Sequence, residues 1–227
     1  MGIKIADYKV IRKEMQPGDV IAFSGKGNVS DIIKWATRSQ VSHVGIVFES
    51  KVVLDDTAQK GIIVDVMEST TLQLKKEASK AISGVQRNRL SDHITYYNGN
   101  IWWLPLKSTI RSKMNMVALT DFLLHSENKE YDVPQAIMSA IDVLDKTPLL
   151  GSLTCNVEDF SKFFCSELVA AALEAGNAIK SLNASEVTPI DLCMFSIYEN
   201  DYYQIKGKET KIAGYNTTSP EGFGEYK

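Results

Sequence analysis

The chain has 227 residues, a formal net charge of −3, 44% hydrophobic residues and 23% charged residues. These values are typical of a globular protein, and the length suits one packed domain. No basic stripe with interleaved aromatic residues is present, so we expect no nucleic-acid partner. The three cysteines are too few for a disulfide framework, and no His or Cys pair has zinc-ligand spacing. We therefore expect neither a structural metal ion nor a cofactor.

The first half of the chain is predicted to be rich in strands. Residues 16–23 indicate a turn followed by a short buried strand, residues 41–48 the clearest strand, and residues 61–67 another. A helix from Ser30 to about Arg38 lies between the first two of these. Weaker strand candidates are residues 84–90 and 101–106.

The second half is predicted to be mostly helical. The predicted helices run from Ser108 to about His125, from Pro134 to about Lys146, over residues 165–174 up to Gly176, and from Pro189 onward, before a strand at 202–205. Helices and strands do not alternate regularly, which favours an α+β fold over a doubly wound sheet. We expect one domain over residues 1–206 and a polar tail over 207–227 that lies outside the core.

No apolar run is long enough for a signal peptide or a membrane span, so we expect a soluble cytoplasmic protein. Membrane association is possible but is not favoured. The sequence does not indicate an oligomeric state.

Cys165 is the best candidate nucleophile. It precedes an apolar helical stretch, Ser-Glu-Leu-Val-Ala-Ala-Ala-Leu, so its sulfur would lie near the positive end of the helix dipole. The N–H groups of that first turn would suit an oxyanion hole. The alternative is a small buried hydrophobic residue. Cys155 is the rival nucleophile, but the sequence after it is not a comparable apolar helix start.

His43 is the candidate base, because it interrupts an otherwise apolar strand. Gly45, on the same predicted face, would leave room for a ligand. The alternative is a core histidine satisfied by one hydrogen bond. His93 and His125 lie in polar surroundings, and we expect both on the surface.

Glu68 is the candidate orienting group for His43. If the strands around 43–48 and 63–68 form an antiparallel hairpin in which Glu68 lies directly opposite His43, both side chains share one face of the sheet. A slip of one residue would replace Glu68 with Asp65. The alternative is a solvated carboxylate at the end of a strand.

Together these segments resemble the circularly permuted branch of the NlpC papain-like superfamily. The likeness extends over roughly residues 15–195 and is nearest to the YiiX and YebB group, with lecithin retinol acyltransferase as a more distant cousin. In that branch the histidine precedes the cysteine, as His43 precedes Cys165 here. The matching motifs are Pro17-Gly-Asp-Val-Ile, Ser42-His-Val-Gly-Ile-Val, Met67-Glu-Ser-Thr, Tyr131-Asp132, Phe164-Cys-Ser-Glu-Leu-Val and Thr188-Pro-Ile-Asp-Leu.

The resemblance implies a small papain-like antiparallel sheet packed on the cysteine-bearing helix. It also implies a Cys165-His43-Glu68 triad. The third position is commonly a carboxylate in this group and a histidine in the lipid acyltransferases, and no second histidine lies in that region. The substrate-side residues that we infer are Ser42, Gly45, Tyr131, Asp132 and Ser166.

Three functions remain open at this point. The first is an amidase or peptidase that forms a thioester with an amide or peptide substrate. The second is a lipid acyltransferase or phospholipase, for which residues 101–106 would be the membrane-facing segment. The third is a binding module without catalytic activity.

Overall fold

The computed structural model describes residues 2–25, 39–54, 60–70, 84–127, 163–180 and 182–224. Over these ranges the protein has an α+β fold built on a seven-stranded, mostly antiparallel sheet with the strand order β1-β7-β6-β2-β3-β4-β5. The strands are β1 (Gly2–Ile5), β2 (Val20–Gly25), β3 (His43–Leu54), β4 (Lys60–Thr70), β5 (Gly84–Arg89), β6 (Gly99–Leu104) and β7 (Asp201–Lys206). The helices are α1 (Tyr8–Ile11), α2 (Leu90–Tyr96), α3 (Ser108–Arg111), α4 (Met116–Ser126), α5 (Phe163–Ala175) and α6 (Pro189–Met194), with short 3₁₀ turns at Arg12–Glu14 and Ala184–Glu186.

Side chains alternate between the two faces of the sheet along each strand, and a hydrophobic core covers each face. In β2, Val20 and Ala22 belong to the core that packs against α4, α5 and α6. Ile21 and Phe23 belong to a second core, which packs against α1 and α2. The strand is therefore apolar at consecutive positions, as expected for a strand covered on both sides.

Each strand predicted from the sequence is present, with β3 and β4 extending further into their hairpin than predicted. One strand was missed. β1 has only four residues and pairs in parallel with β7, over 195 positions away, so its apolar pattern is too short to predict a strand.

The prediction of one long helix from Ser108 is wrong. α3 ends at Arg111, and α4 begins again at Met116. Asn115 caps the second helix by accepting a hydrogen bond from the Ala118 N–H at 3.1 Å, while its own N–H donates to the Gly176 carbonyl at 2.8 Å. The apolar spacing continues across the break, which is why periodicity alone did not reveal it. The predicted helices at 30–38 and 134–146 lie outside the described residues.

The Pro17-Gly-Asp motif fixes the turn before β2. The buried carboxylate of Asp19 accepts hydrogen bonds from the Gln16 N–H, the Leu106 N–H and the Trp103 indole, each at 2.9 Å, and it pairs with Arg111. These contacts join the start of β2 to the end of β6. The motif therefore has a structural role in this chain.

The C-terminal segment packs on the sheet, contrary to the expectation that it lies outside the core. Ile212 and Tyr215 are buried in the first core. The Ile212 N–H donates to the Tyr202 hydroxyl at 2.8 Å, and the Trp102 indole donates to the Thr210 carbonyl at 3.0 Å. The polar composition of this segment concealed the few apolar side chains that cover the sheet.

Candidate active site

Cys165 lies in the first turn of α5, as its third residue. The helix begins two residues earlier than predicted, and the thiol remains near its positive end. α5 packs against β3 and β4. At its other end, a Cβ atom on Gly176 would lie 2.9 Å from Leu119 Cδ1, so only glycine allows α4 to approach this closely.

His43 is the first residue of β3. Its strand parity places it on the face of the second core, whereas Cys165 belongs to the first core. The two side chains, 122 positions apart, nevertheless interact electrostatically.

The imidazole of His43 is held in its charged form. Burial disfavours this form, but the interaction with Cys165, followed by the hydrogen bond and charge of Glu68, outweighs burial and raises the pKa of His43 to about 10. Nε2 lies 2.6 Å from Glu68 Oε2. Nδ1 has no partner with hydrogen-bond geometry among the described residues, so it remains available to the Cys165 sulfur. The ring therefore has one nitrogen for the carboxylate and the other for the sulfur.

Glu68 reaches His43 by a different register from the predicted one. β3 and β4 pair Ile46 with Met67, which places Glu68 opposite Gly45, two residues along the strand from His43, rather than directly opposite His43. The observed register differs from the predicted one by two residues, and a shift by an even number of residues keeps each side chain on the same face of the sheet. A bulge at Phe48 shifts the register once more, beyond the site.

The carboxylate of Glu68 is buried and fully hydrogen-bonded, so it is not a solvated strand end. Its Oε2 accepts from His43, while its Oε1 lies 2.7 Å from His93 Nε2 and 2.9 Å from Asn88 Nδ2. Burial favours the neutral acid, but the charge of His93 and the hydrogen bonds from both histidines hold the pKa of Glu68 well below its ordinary value. Glu68 therefore acts as a carboxylate that accepts three N–H groups.

The expectation that His93 lies on the surface is wrong, since its side chain is only 1% exposed. It extends from α2 into the second core, with its ring 4.9 Å from that of Phe23. The signal that was overlooked is a helical stripe at Leu90, Ile94 and Tyr97, on whose face His93 also lies. His125 is exposed, as predicted.

The predicted substrate-side residues that the structure describes are engaged in structural contacts. Ser42 Oγ accepts from the Gly25 N–H at 3.2 Å and also hydrogen-bonds Tyr97. Ser166 Oγ donates to the Val187 carbonyl at 2.5 Å.

Gly45 offers no room for a ligand. A Cβ atom there would lie 2.6 Å from Val66 Cγ1 and 3.3 Å from Glu68 Cβ. The glycine instead lets β4 bring Glu68 close to β3. Tyr131, Asp132 and Cys155 lie outside the described residues.

The two reactive groups are enclosed, with Cys165 0% exposed and His43 7% exposed. Among the residues that the structure describes, no cluster of three or more His, Cys, Asp or Glu side chains could hold a metal ion. No helix in the described ranges has both the length and the apolar character needed to cross a membrane.

Comparison of the sequence with models of protein families finds no match, and comparison with curated proteins also finds none.

Proposed function

We propose that this protein is a cysteine-dependent hydrolase that cleaves an amide or peptide bond through a thioester intermediate. The observation that carries the proposal is the position of the His43 imidazole between the Cys165 thiol and the Glu68 carboxylate. A nucleophile, a base and a group that orients the base are the three parts that this chemistry requires.

The mechanism begins from an ion pair of the Cys165 thiolate and the His43 imidazolium, because the raised pKa of His43 keeps its ring protonated. The thiolate attacks the substrate carbonyl, and the N–H groups of the first turn of α5 stabilise the oxyanion. When the intermediate collapses, His43 gives its proton to the departing amine and the acyl group remains on sulfur. His43 then takes a proton from water, whose oxygen attacks the thioester, and the thiolate leaves as the acid is released, which restores the ion pair.

A permuted papain-like fold accompanies this proposal. It is supported by the order of the two residues in the chain and by the packing of α5 against two antiparallel strands. The motif resemblance adds to this support.

The lipid acyltransferase alternative loses the feature that suggested it. The four residues from Ile101 to Leu104 are buried in β6, which is an interior strand of the sheet, so this segment presents no apolar surface to a membrane.

The absence of a second histidine near the triad was an argument against the lipid activity, and this argument fails because His93 lies next to Glu68. However, His93 bonds to Glu68, and a carboxylate occupies the position next to His43. Clear co-sedimentation with phosphatidylcholine liposomes would favour the lipid activity.

The first test is Cys165→Ala, with Cys193→Ala as the matched control. Both thiols are buried, but Cys193 has no imidazole partner, and burial, with the charges of Asp191 and Cys165, raises its pKa far above the ordinary value. We expect Cys165→Ala to lower hydrolysis of 4-nitrophenyl acetate about 1,000-fold or more and to leave the circular dichroism spectrum unchanged. Cys193→Ala should stay within about threefold of wild type, since it changes no group at the reacting centre.

A second measurement separates the enzyme from a binding module. Iodoacetamide labelling of the wild type at pH 6, quantified by peptide mass, should modify Cys165 much faster than Cys193. Equal labelling of the two thiols, or full esterase activity in Cys165→Ala, would remove the proposed function.

A further inference from the structure

His93 is an unexpected member of the site. It is separated from His43 by 50 positions and lies on a different element, α2, yet both rings direct Nε2 at the same carboxylate. The two contacts are 2.6 and 2.7 Å long and use different oxygens of Glu68. The two histidines therefore bind the Glu68 carboxylate at nearly equal distances, one on each oxygen.

Such sharing fixes the proton positions. An ionised carboxylate only accepts hydrogen bonds, so each histidine must carry its proton on Nε2. For His43 this leaves Nδ1 to hold the proton that it gives to the leaving group and regains from water. The orientation of Glu68 thus determines which nitrogen of His43 faces the sulfur.

Glu68 cannot be held by His43 alone. The terminal torsion of a glutamate side chain is broad and roughly two-fold, so a carboxylate anchored by one oxygen can rotate. Its second oxygen is held by His93 and, at 2.9 Å, by Asn88. The ring of Phe23 packs against both histidines, with centroid distances of 5.3 and 4.9 Å, and keeps the two rings in place.

We propose that His93 is a positioning residue that holds Glu68, and through it the tautomer and orientation of His43, so that the site works as a four-residue chain from Cys165 to His93. This inference rests on the proposed function. In this role His93 acts through Glu68 and not directly on the sulfur or the substrate. Its effect should therefore fall on the chemical step and not on substrate binding.

The test compares His93→Leu, which removes the hydrogen bond, with His93→Gln, which keeps an N–H donor near the former Nε2. For 4-nitrophenyl acetate, we expect His93→Leu to lower kcat about 10- to 100-fold with KM within about twofold, the size of effect that one charge-assisted hydrogen bond gives. His93→Gln should recover kcat to within about threefold of wild type. His125→Gln is the matched control and should leave kcat unchanged, because His125 is exposed and bonds only to the Asp121 carbonyl.

A readout independent of activity is the ¹H NMR spectrum of the histidine N–H protons, with Glu68→Gln as the reference. The wild type should show two strongly downfield signals, from His43 and His93, and Glu68→Gln should lose both. His93→Leu should lose its own signal and broaden that of His43, whereas His93→Gln should leave the His43 signal sharp.

Each outcome decides one claim. If His93→Leu keeps the wild-type kcat, or keeps a sharp His43 signal, the positioning role is wrong while the proposed function stands. If the wild-type Cys165 neither hydrolyses the ester nor labels faster than Cys193, the proposed function fails, and the positioning role fails with it. A loss of kcat that His93→Gln does not recover, with the His43 signal intact, would assign His93 to packing and overturn the proposal.

Discussion

At the scale of single residues, the site is a row of groups that hold one another in charged form. Burial alone would neutralise both His43 and Glu68. Each is instead held charged by its partners, since the pKa of His43 is raised to about 10 and that of Glu68 is lowered. A buried group whose pKa differs between the folded and unfolded chain makes stability depend on pH.

The sign of this dependence differs for the two residues. The pKa of His43 is above its ordinary value of 6.5, so its stabilising contribution is complete below that pH and is lost as the pH rises toward 10. The pKa of Glu68 is below its ordinary value of 4.5, so its contribution is complete above that pH and is lost in acid. The site should therefore stabilise the fold most between pH 4.5 and pH 6.5.

We expect the difference in unfolding free energy between the wild type and His43→Gln to be largest near pH 5–6.5. It should fall between pH 7 and pH 10 with a slope of at most about 1.4 kcal/mol per pH unit. Urea titrations at each pH measure it, with His125→Gln as the control that should show no such trend. A difference that stays constant over this range would mean that His43 is not held as an imidazolium.

At the scale of elements, short caps decide where helices begin, independently of the apolar pattern. Asn115 starts α4 through its side chain. Its backbone N–H also ties the start of α4 to Gly176, at the end of the cysteine-bearing helix. This junction aligns α4 with α5, whose other end carries Cys165.

Asn115→Ala should lower the unfolding free energy by about 1 kcal/mol, because the Ala118 N–H loses its acceptor. Asn115→Ser keeps an oxygen acceptor and should stay within a few tenths of a kcal/mol of wild type. Thermal or urea unfolding of the two variants gives the comparison. Equal stability of Asn115→Ala and wild type would show that the cap contributes nothing.

At the scale of the whole molecule, the two ends of the chain complete the sheet and its core. β1 pairs with β7, and the C-terminal segment covers the face on which α5 packs. Tyr215 stacks on Tyr198, with ring centroids 5.8 Å apart, and packs against the tilted ring of Tyr202 at 4.3 Å. Its hydroxyl donates to the Glu199 carbonyl at 2.9 Å. The described residues from 207 to 224 are therefore part of the packed structure.

Tyr215→Ala should destabilise the protein by about 3–5 kcal/mol, as removal of a large buried aromatic side chain does. Lys211→Ala, at an exposed position of the same segment, should change stability by less than about 0.5 kcal/mol. The measurement is the unfolding free energy in urea. A loss below about 1 kcal/mol for Tyr215→Ala would restore the view of this segment as a tail.

The sequence by itself determined the elements with strong local signals. Alternation, apolar spacing and flanking residues predict the strand at His43 and the helix that carries Cys165. They also place Glu68 on the same strand face as Val64 and Val66. These local patterns offered Cys165, His43 and Glu68 as candidates, and the motif resemblance favoured them over the alternatives.

Only the tertiary structure decided the features that depend on distant contacts. The register of β3 and β4 is set by a bulge and by close packing at Gly45. The burial of His93 and Tyr215 depends on elements far away in the chain. A sequence pattern reports which face of an element is apolar, but the partner that covers this face, and the polar groups that the partner brings, are fixed only when the whole chain packs.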